Sequence, residues 1–444
     1  VETRQVIRAV QRGLSKLLRR SGIEAGSGGR RWDGASTIGN PQASTLAARG
    51  PAKNRAAAAS INTPFGQRAV EAWTSALVGK GWQARSQHPD KDIARRLSSA
   101  FEALANPLLP IIARALVRDG EAIVRTRLNS EGHFRVQLIP SDQLDPTLSR
   151  DLGGGARIVS GIEFDAEDEV VAYHILPEAP GTPFAVFSSP VRVPARDIFH
   201  VFDPMFPGQV RGLSWLAPVL TKLRDRDEAS DAMLMQLKVA SLLTAFIRDP
   251  DGSLAGFEGE TDGNALSVAL EPGAARILPP GADVTMSNPP AGLSDAVTFL
   301  KAQDREIAAG LNLTFEQLTA DLSEANYSSA RVGLLEFRRR AEMLQKLLVE
   351  GQFLSPLWRR WIELEALSGR IEANGAALED YMAVRFVPPG WQWVDPQKEV
   401  SADVKAIEAG LKSREEVVAG RGRDIDELDE ERARDRRAEN GGEA

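Results

Sequence analysis

Cysteine is missing from all 444 residues, which excludes disulfides, thiolate zinc sites and cysteine nucleophiles and leaves the redox compartment open. Histidine is nearly as scarce. His88, His133, His174 and His200 stand far apart, with no pair at an i, i+4 ligand spacing, so neither a metal enzyme nor any other cofactor is expected. No stretch reaches the roughly 18 consecutive apolar residues of a membrane span. Aromatics make up only 6%, with Trp (8) ahead of Tyr (3), so large side chains are placed singly. Phosphate-cradling loops are lacking too: around Gly79-Lys80, Gly81 stands where Ser or Thr is required and Thr74 where the first glycine belongs. Gly26-Ser27-Gly28-Gly29 and Gly153–Gly155 fail the dinucleotide pattern and read as loops. There is no Gly-x-Ser-x-Gly elbow and no Ser-x-x-Lys pair.

What is present is a folded composition, 43% hydrophobic against 26% charged, in a chain long enough for several structural units. Charge is uneven. Residues 1–60 hold eleven Lys or Arg against three Asp or Glu, a balance of +8, so with a total of −7 the rest carries −15. Val1 to Ser21 is basic (Arg4, Arg8, Arg12, Lys16, Arg19, Arg20), with apolar residues at helical spacing but without the apolar core of a secretory signal. It suits a solvated arm, or a helix that meets an acidic partner or membrane surface. The acidic remainder does not look built to grip phosphates tightly, though DNA could pass as a transient partner.

Residues 22–60, rich in Gly, Ser, Ala and Asn, read as an extended arm. Helices are expected from Pro64, capped by Thr63, to Gly79, and over Asp92–Ala105 and Leu109–Arg118. A β-rich section follows: Ala122–Arg127, His133–Ile139, Gly161–Asp165, Val170–Leu176 and Asp197–Phe202. Trp215–Arg248 reads as one long helix, stopped by Asp249-Pro250-Asp251-Gly252. A compact insertion occupies 249–293, and a helix resumes near Ser294, a candidate N-cap, and runs to Gly310. After a polar, punctuated segment, Ser329–Leu367 reads as a helix interrupted at Gly351 and Pro356, and 396–444 as charged helix.

Few residues suggest chemistry, and each has a plainer explanation. Asp249, Asp251 and Glu258 miss calcium-loop spacing, because Gly252 falls too early. His200 near Asp203 could be an acid–base pair, but the strand around it favours a hydrogen-bonded structural histidine. Asp424, Asp426, Asp429, Glu430 and Glu431 could gather cations, but alternate with Arg432, Arg434, Arg436 and Arg437 as a solvated helix face does. Trp358, Trp361 and Phe353 read as core, and Phe315 and Tyr327 as anchors of the polar segment more than base-stacking platforms.

Several collinear motifs resemble the lambda-type family of tailed-bacteriophage portal proteins. These are Arg49–Gly81 with Lys53-Asn54-Arg55 and Val78-Gly79-Lys80-Gly81; Asp119-Gly120-Glu121-Ala122; and Asp197-Ile198-Phe199-His200-Val201-Phe202 followed by Gln209-Val210-Arg211-Gly212-Leu213-Ser214-Trp215-Leu216, with Ser214 where proline is usual. Asp321-Leu322-Ser323, Asn326-Tyr327-Ser328-Ser329-Ala330-Arg331, Val394-Asp395-Pro396-Gln397-Lys398-Glu399 and Gly410-Leu411 complete the series.

The resemblance implies an α+β portal fold: a basic N-terminal arm (1–60), a wing (61–215), a first stem helix (216–248), a small α/β clip (249–293) and a second stem helix (294–311). A tunnel loop (312–328), a long helix with the remainder of the wing (329–395) and a helical crown (396–444) would follow. It implies a ring, a dodecamer in the virion, at one capsid vertex. The ring would be assembled in the host cytoplasm beside the major capsid protein, and would dock the large terminase and later the head-completion proteins. Double-stranded DNA would pass through it without a membrane. Candidate channel residues are Glu316, Gln317, Asp321, Ser323, Glu324 and Asn326, and Gln209, Arg211, Gly212 and Trp215 form a candidate stem–wing joint. A catalytic site is not expected; the alternative is a nucleic-acid-processing enzyme or translocase of a packaging system.

Overall fold

In the computed structural model the described residues are 34, 36–183, 189–241, 245–248, 260–262, 265–267, 283–286, 293–371, 376–392 and 395–441. Val1–Ser21, Gly26–Gly29, Asp249, Asp251 and Glu258 lie outside them.

The fold is α+β, and its first element corrects the sequence reading. Pro41–Asn62 is a 22-residue helix (α1), where an extended arm was expected. Apolar periodicity missed it because its buried positions are Thr45, Arg49, Lys53 and Ala56, at helical spacing but without a large apolar side chain. The run Ala56–Ala59 supplies intrinsic helix propensity that needs no apolar face.

α2 (Pro64–Val78) begins as expected: the Thr63 hydroxyl accepts from the Gly66 N–H, and Pro64 fills the first turn, where its missing donor costs nothing. After β1 (Gln83–Ser86) come α3 (Lys91–Ala105), capped by Asp90, and α4 (Leu109–Asp119), which ends where Gly120 turns left-handed at φ +87°. Trp73, Leu77, Phe101 and Leu116 from these helices join Phe353 and Trp358 in the larger core.

Next come β2 (Glu121–Leu128), β3 (Phe134–Ile139), β4 (Arg150–Gly153), β5 (Ala156–Val159), β6 (Ile162–Phe164), β7 (Val170–Ile175), β8 (Val191–Pro194) and β9 (Ile198–Phe202). The order β3-β2-β9 makes an antiparallel sheet, and β4 to β8 an antiparallel meander. Strands β4, β5 and β8 are additions to the sequence reading; each has four residues, too few for alternation to show, and β4 is wholly exposed. Ile123, Ile139, Ile162, Tyr173 and Ile198 from both sheets, with Leu144 from the segment between β3 and β4, form a second, smaller core.

α5 runs from Leu220 to Ser241, so the helix expected through Arg248 is shorter. Ala245–Arg248 is instead strand β10, and Glu260–Asp262 and Ala265–Ser267 are β11 and β12, which pair with each other. β10 pairs antiparallel with β13 (Asp283–Met286), Ala245 opposite Met286, a partner too distant in sequence for local pattern to reveal. α6 (Leu293–Gly310) starts one residue before Ser294, which therefore lies inside the helix and is not its cap. Lys222–Glu306 (2.8 Å) and Arg226–Asp304 (3.0 Å) tie α5 to α6.

α7 (Phe315–Thr319) is a single turn within the polar segment. The helix expected to break at Gly351 and Pro356 does not break. α8 (Tyr327–Leu344) widens into a π-helical stretch, Gln345–Leu354, and continues as α9 (Ser355–Leu367). The i→i−5 bonding of that stretch runs on to Ser355, whose N–H donates to the Glu350 carbonyl, and the missing N–H of Pro356 falls at the start of α9.

α10 (Ala376–Met382) leads to β14 (Val384–Val387), which pairs with β1, and three helices follow: α11 (Pro396–Glu408), α12 (Arg414–Ala419) and α13 (Ile425–Gly441). Asp424 is not part of a solvated face. It is 4% exposed, accepts from the Asp426 and Glu427 amides, and takes the Arg385 guanidinium at 2.6 Å.

Candidate functional site

Two short backbone segments meet between the three-stranded sheet and the β4–β8 meander. Gly120 follows α4 and Gly212 follows β9, so close together that a Cβ on Gly212 would lie 2.1 Å from the Gly120 carbonyl oxygen. A Cβ on Gly120 would meet the Leu213 carbonyl carbon at 2.2 Å, so at both positions only glycine fits.

The approach sets the carboxylate of Glu121, fully buried at the start of β2, against Arg211, also fully buried. Arg211 Nη2 donates to Glu121 Oε1 at 2.6 Å, and its Nε lies 3.1 Å from both carboxylate oxygens. Its other donors reach the Ser141 carbonyl (3.0 Å), the Leu144 carbonyl (3.2 Å) and the Ser160 carbonyl (3.0 Å). One guanidinium therefore joins the three-stranded sheet to the segment that enters the meander and to its β5–β6 turn. Planar, forked donors can do this; a lysine ammonium has too few.

Glu121 is filled from other sides as well. Arg49 of α1 donates from Nη2, the Gly212 amide donates at 2.9 Å, and His200 Nε2 lies 3.0 Å away. A carboxylate can only accept, so His200 Nε2 carries the hydrogen. Burial by itself would push the Glu121 carboxyl up, but Arg211, Arg49 and His200 outweigh it and hold it well below the usual range. Burial, helped by the two guanidiniums, pushes His200 down against the pull of Glu121, and burial also lowers Arg49. Tyr173 meets the His200 ring edge-on at 5.8 Å, and its hydroxyl is pushed up by burial and by the Glu121 charge. His200 is thus joined to Glu121, while Asp203 faces Arg340 at 3.9 Å.

Of the other joint residues, Gln209 Nε2 donates to the Arg211 carbonyl at 2.8 Å while its Oε1 accepts from the Met205 amide. Trp215 packs edge-on to Trp73 at 5.4 Å, and Trp73 Nε1 donates to the Leu311 carbonyl just past α6. Ser214, where the resemblance leads one to expect proline, is buried; its hydroxyl donates to the Val117 carbonyl and accepts from the Leu216 amide.

The polar segment is arranged differently. Thr314 and Gln317 form a capping box around α7, so Gln317 is used internally, and its carbonyl accepts from Arg68. Ala320 turns left-handed, and Asp321 accepts from the Ser323 amide. Leu322, Ser323, Glu324 and Asn326 are exposed, Glu316 and Asp321 half-buried. Glu324 is bracketed by two cations of α6: Lys301 Nζ at 2.7 Å from Oε1 and Arg305 Nη2 at 2.8 Å from Oε2. The segment's own balance of −3 is thereby reduced to −1.

The structure brings Gln209, Arg211 and Gly212 into one buried cluster, with Trp215 beside it, and divides the six polar-segment residues between the short helix α7 (Glu316, Gln317) and the turn after it (Asp321, Ser323, Glu324, Asn326). Sequence reasoning missed Glu121 as the partner of Arg211, and Arg49 as the second cation on Glu121. Glu121 was legible only within Asp-Gly-Glu, and Arg49 only as a basic residue on an unsuspected helix. Among the described residues, no three His, Asp or Glu side chains gather as metal ligands.

The family described as phage portal protein, lambda family, matches residues 28–345. A probable portal protein of Halomonas phage phiHAP-1 is 26% identical over 427 residues, 89% of this chain and 82% of that one. The portal protein of Escherichia phage N15 is 26% identical over 260 residues, 52% of this chain and 48% of its own length. Among solved structures, a chain from the neck of an empty GTA particle aligns with a TM-score of 0.46 and 16% identity, over 87% of this chain and 94% of that chain.

Proposed function

This chain belongs to the lambda family of phage portal proteins, and from that premise we propose that its copies close into a ring of twelve around the DNA path at one capsid vertex. In this reading α5 and α6 are the stem, the β10–β13 module is the clip that docks terminase and later the head-completion proteins, and α11 to α13 are the crown. The polar segment 312–328 borders the channel, and the ring assembles in the host cytoplasm. The ring is a conduit, with the work of packaging done by the docked motor.

One observation carries the ring. α5 and α6 already pack on each other, yet Leu234 (49%), Met235 (61%), Val297 (46%) and Phe299 (54%) remain exposed on them. Apolar side chains repeated along two paired helices are what a closed, symmetric assembly covers with neighbouring copies. Mass photometry of the purified full chain should give one dominant species at twelve subunits, with neither ATP hydrolysis nor DNA cleavage. A monomer at all concentrations, or ATP-driven DNA movement by this chain alone, would defeat the proposal.

A further inference from the structure

We propose that Lys301 and Arg305 form a binding pair for DNA backbone phosphate, occupied by Glu324 in the DNA-free protein and surrendered when a phosphate takes its place. The inference rests on the conduit reading, since it needs DNA beside the polar segment.

Four observations support it. Lys301 and Arg305 are four residues apart on α6 and so share a face. Each holds a different oxygen of one carboxylate, at 2.7 and 2.8 Å, the arrangement in which two non-bridging phosphate oxygens would be held. Arg305 lies over the Phe315 ring, 5.1 Å from its centroid, which keeps the guanidinium placed when its carboxylate leaves. Finally, the pair is open to water: the side chains of Lys301, Arg305 and Glu324 are 31%, 53% and 55% exposed. An exposed ion pair is weak and exchangeable, so a polyanion brought close can compete with a single carboxylate.

The exchange changes the segment as well as the ligand. Glu324 is held through hydrogen bonds from Lys301 and Arg305, which also keep its carboxyl below the ordinary range. Once phosphate has both cations, the turn Asp321–Glu324 loses this tether to α6. Its acids, Asp321 and Glu324, then stand beside the bound phosphate and limit how long it stays. Binding is therefore self-limiting, as suits a strand that must move on.

The test uses assembled rings of the full chain and a short DNA duplex, followed by fluorescence anisotropy across a salt series. Glu324→Gln frees the cations and should tighten duplex binding at least about threefold. Lys301→Gln with Arg305→Gln should weaken it and reduce the steepness of the salt dependence by roughly two phosphate contacts. Hydrogen exchange gives a second reading: duplex should speed exchange at amides 321–326 in the wild type and have no such effect in Glu324→Gln. If rings form but all variants bind alike and exchange at 321–326 ignores DNA, the phosphate exchange is wrong while the conduit stands. If no rings form at any concentration, the conduit reading itself fails.

Discussion

Glu121 and Glu324 are each bracketed between two cations, and their two settings could hardly differ more. Glu121 sits between Arg211 and Arg49 in a site with no water access, further held by His200 and the Gly212 amide. Glu324 sits between Lys301 and Arg305 at the surface. In the first, no solvent can replace a lost partner, so the ions are held by geometry and their removal leaves an uncompensated charge. In the second, water and salt are always available, and the pair holds only as firmly as a screened surface contact. The same residue types thus make a fixed clamp in one place and a releasable one in the other.

The largest effect expected from that contrast is at the clamp. Glu121→Gln strands two buried guanidiniums and should cost about 3–5 kcal/mol in chemical denaturation. Arg211→Lys keeps the charge but loses the fork, leaving buried carbonyls of Ser141, Leu144 or Ser160 without donors, for about 3 kcal/mol. A loss below about 1 kcal/mol in either variant would mean that the buried cluster is far more tolerant than its geometry implies.

Next in size is the close approach that makes the clamp. Gly212→Ala places a methyl against the Gly120 carbonyl and should cost about 1–3 kcal/mol, because the neighbour is backbone and cannot swing aside. Equal stability of Gly212→Ala and wild type would show that the two segments separate easily.

Acid should distinguish the clamps more gently. His200 is held below its ordinary value near 6.5, so the unfolded chain binds that proton first. Its contribution is complete above about pH 6.5 and is lost as pH falls through the lower, folded value. Glu121 acts further down: its contribution is present above the unfolded carboxylate value and lost as pH falls through a folded value well below it. Urea midpoints taken from pH 8 to pH 5 should therefore slope downward, and His200→Asn should flatten that slope. An unchanged slope would place the acid-sensitive group elsewhere.

The smallest expected effect on stability belongs to the exposed clamp. Glu324→Gln should leave the unfolding midpoint where it was while changing DNA retention. A marked loss of stability would make Glu324 a structural anchor and weaken the idea that it is exchangeable.

The parts legible in the sequence were those with local causes. Thr63-Pro64 starts α2, Gly79 and Gly120 end helices, and alternating apolar residues mark β2, β3, β7 and β9. Arg211 could be singled out because it lies between the sheet and a long helix beside a glycine and a tryptophan. Its partner could not, because Glu121 is 90 residues away and only the fold joins them. α1 escaped notice because a helix anchored by Arg49 and Lys53 shows charge where a core-facing stripe normally shows leucine. Ala245–Arg248 reads as helix in the sequence because its pairing, as β10 with β13, is non-local. Lys301 and Arg305 were in view as residues of a stem helix, but their hold on Glu324 depends on the chain reversing through α7, which no local pattern announces.

We propose that the clamp at Glu121 fixes the angle between the stem helix α5 and the sheets, and hence how copies close. The most direct test is the subunit number of rings formed by Arg211→Lys, measured by mass photometry beside the wild type and Glu324→Gln. Wild type and Glu324→Gln should give the same single ring, and Arg211→Lys should give soluble protein with fewer rings or a spread of subunit numbers. A ring population in Arg211→Lys identical in size and yield to wild type would contradict the claim that this buried ion cluster sets the geometry of assembly.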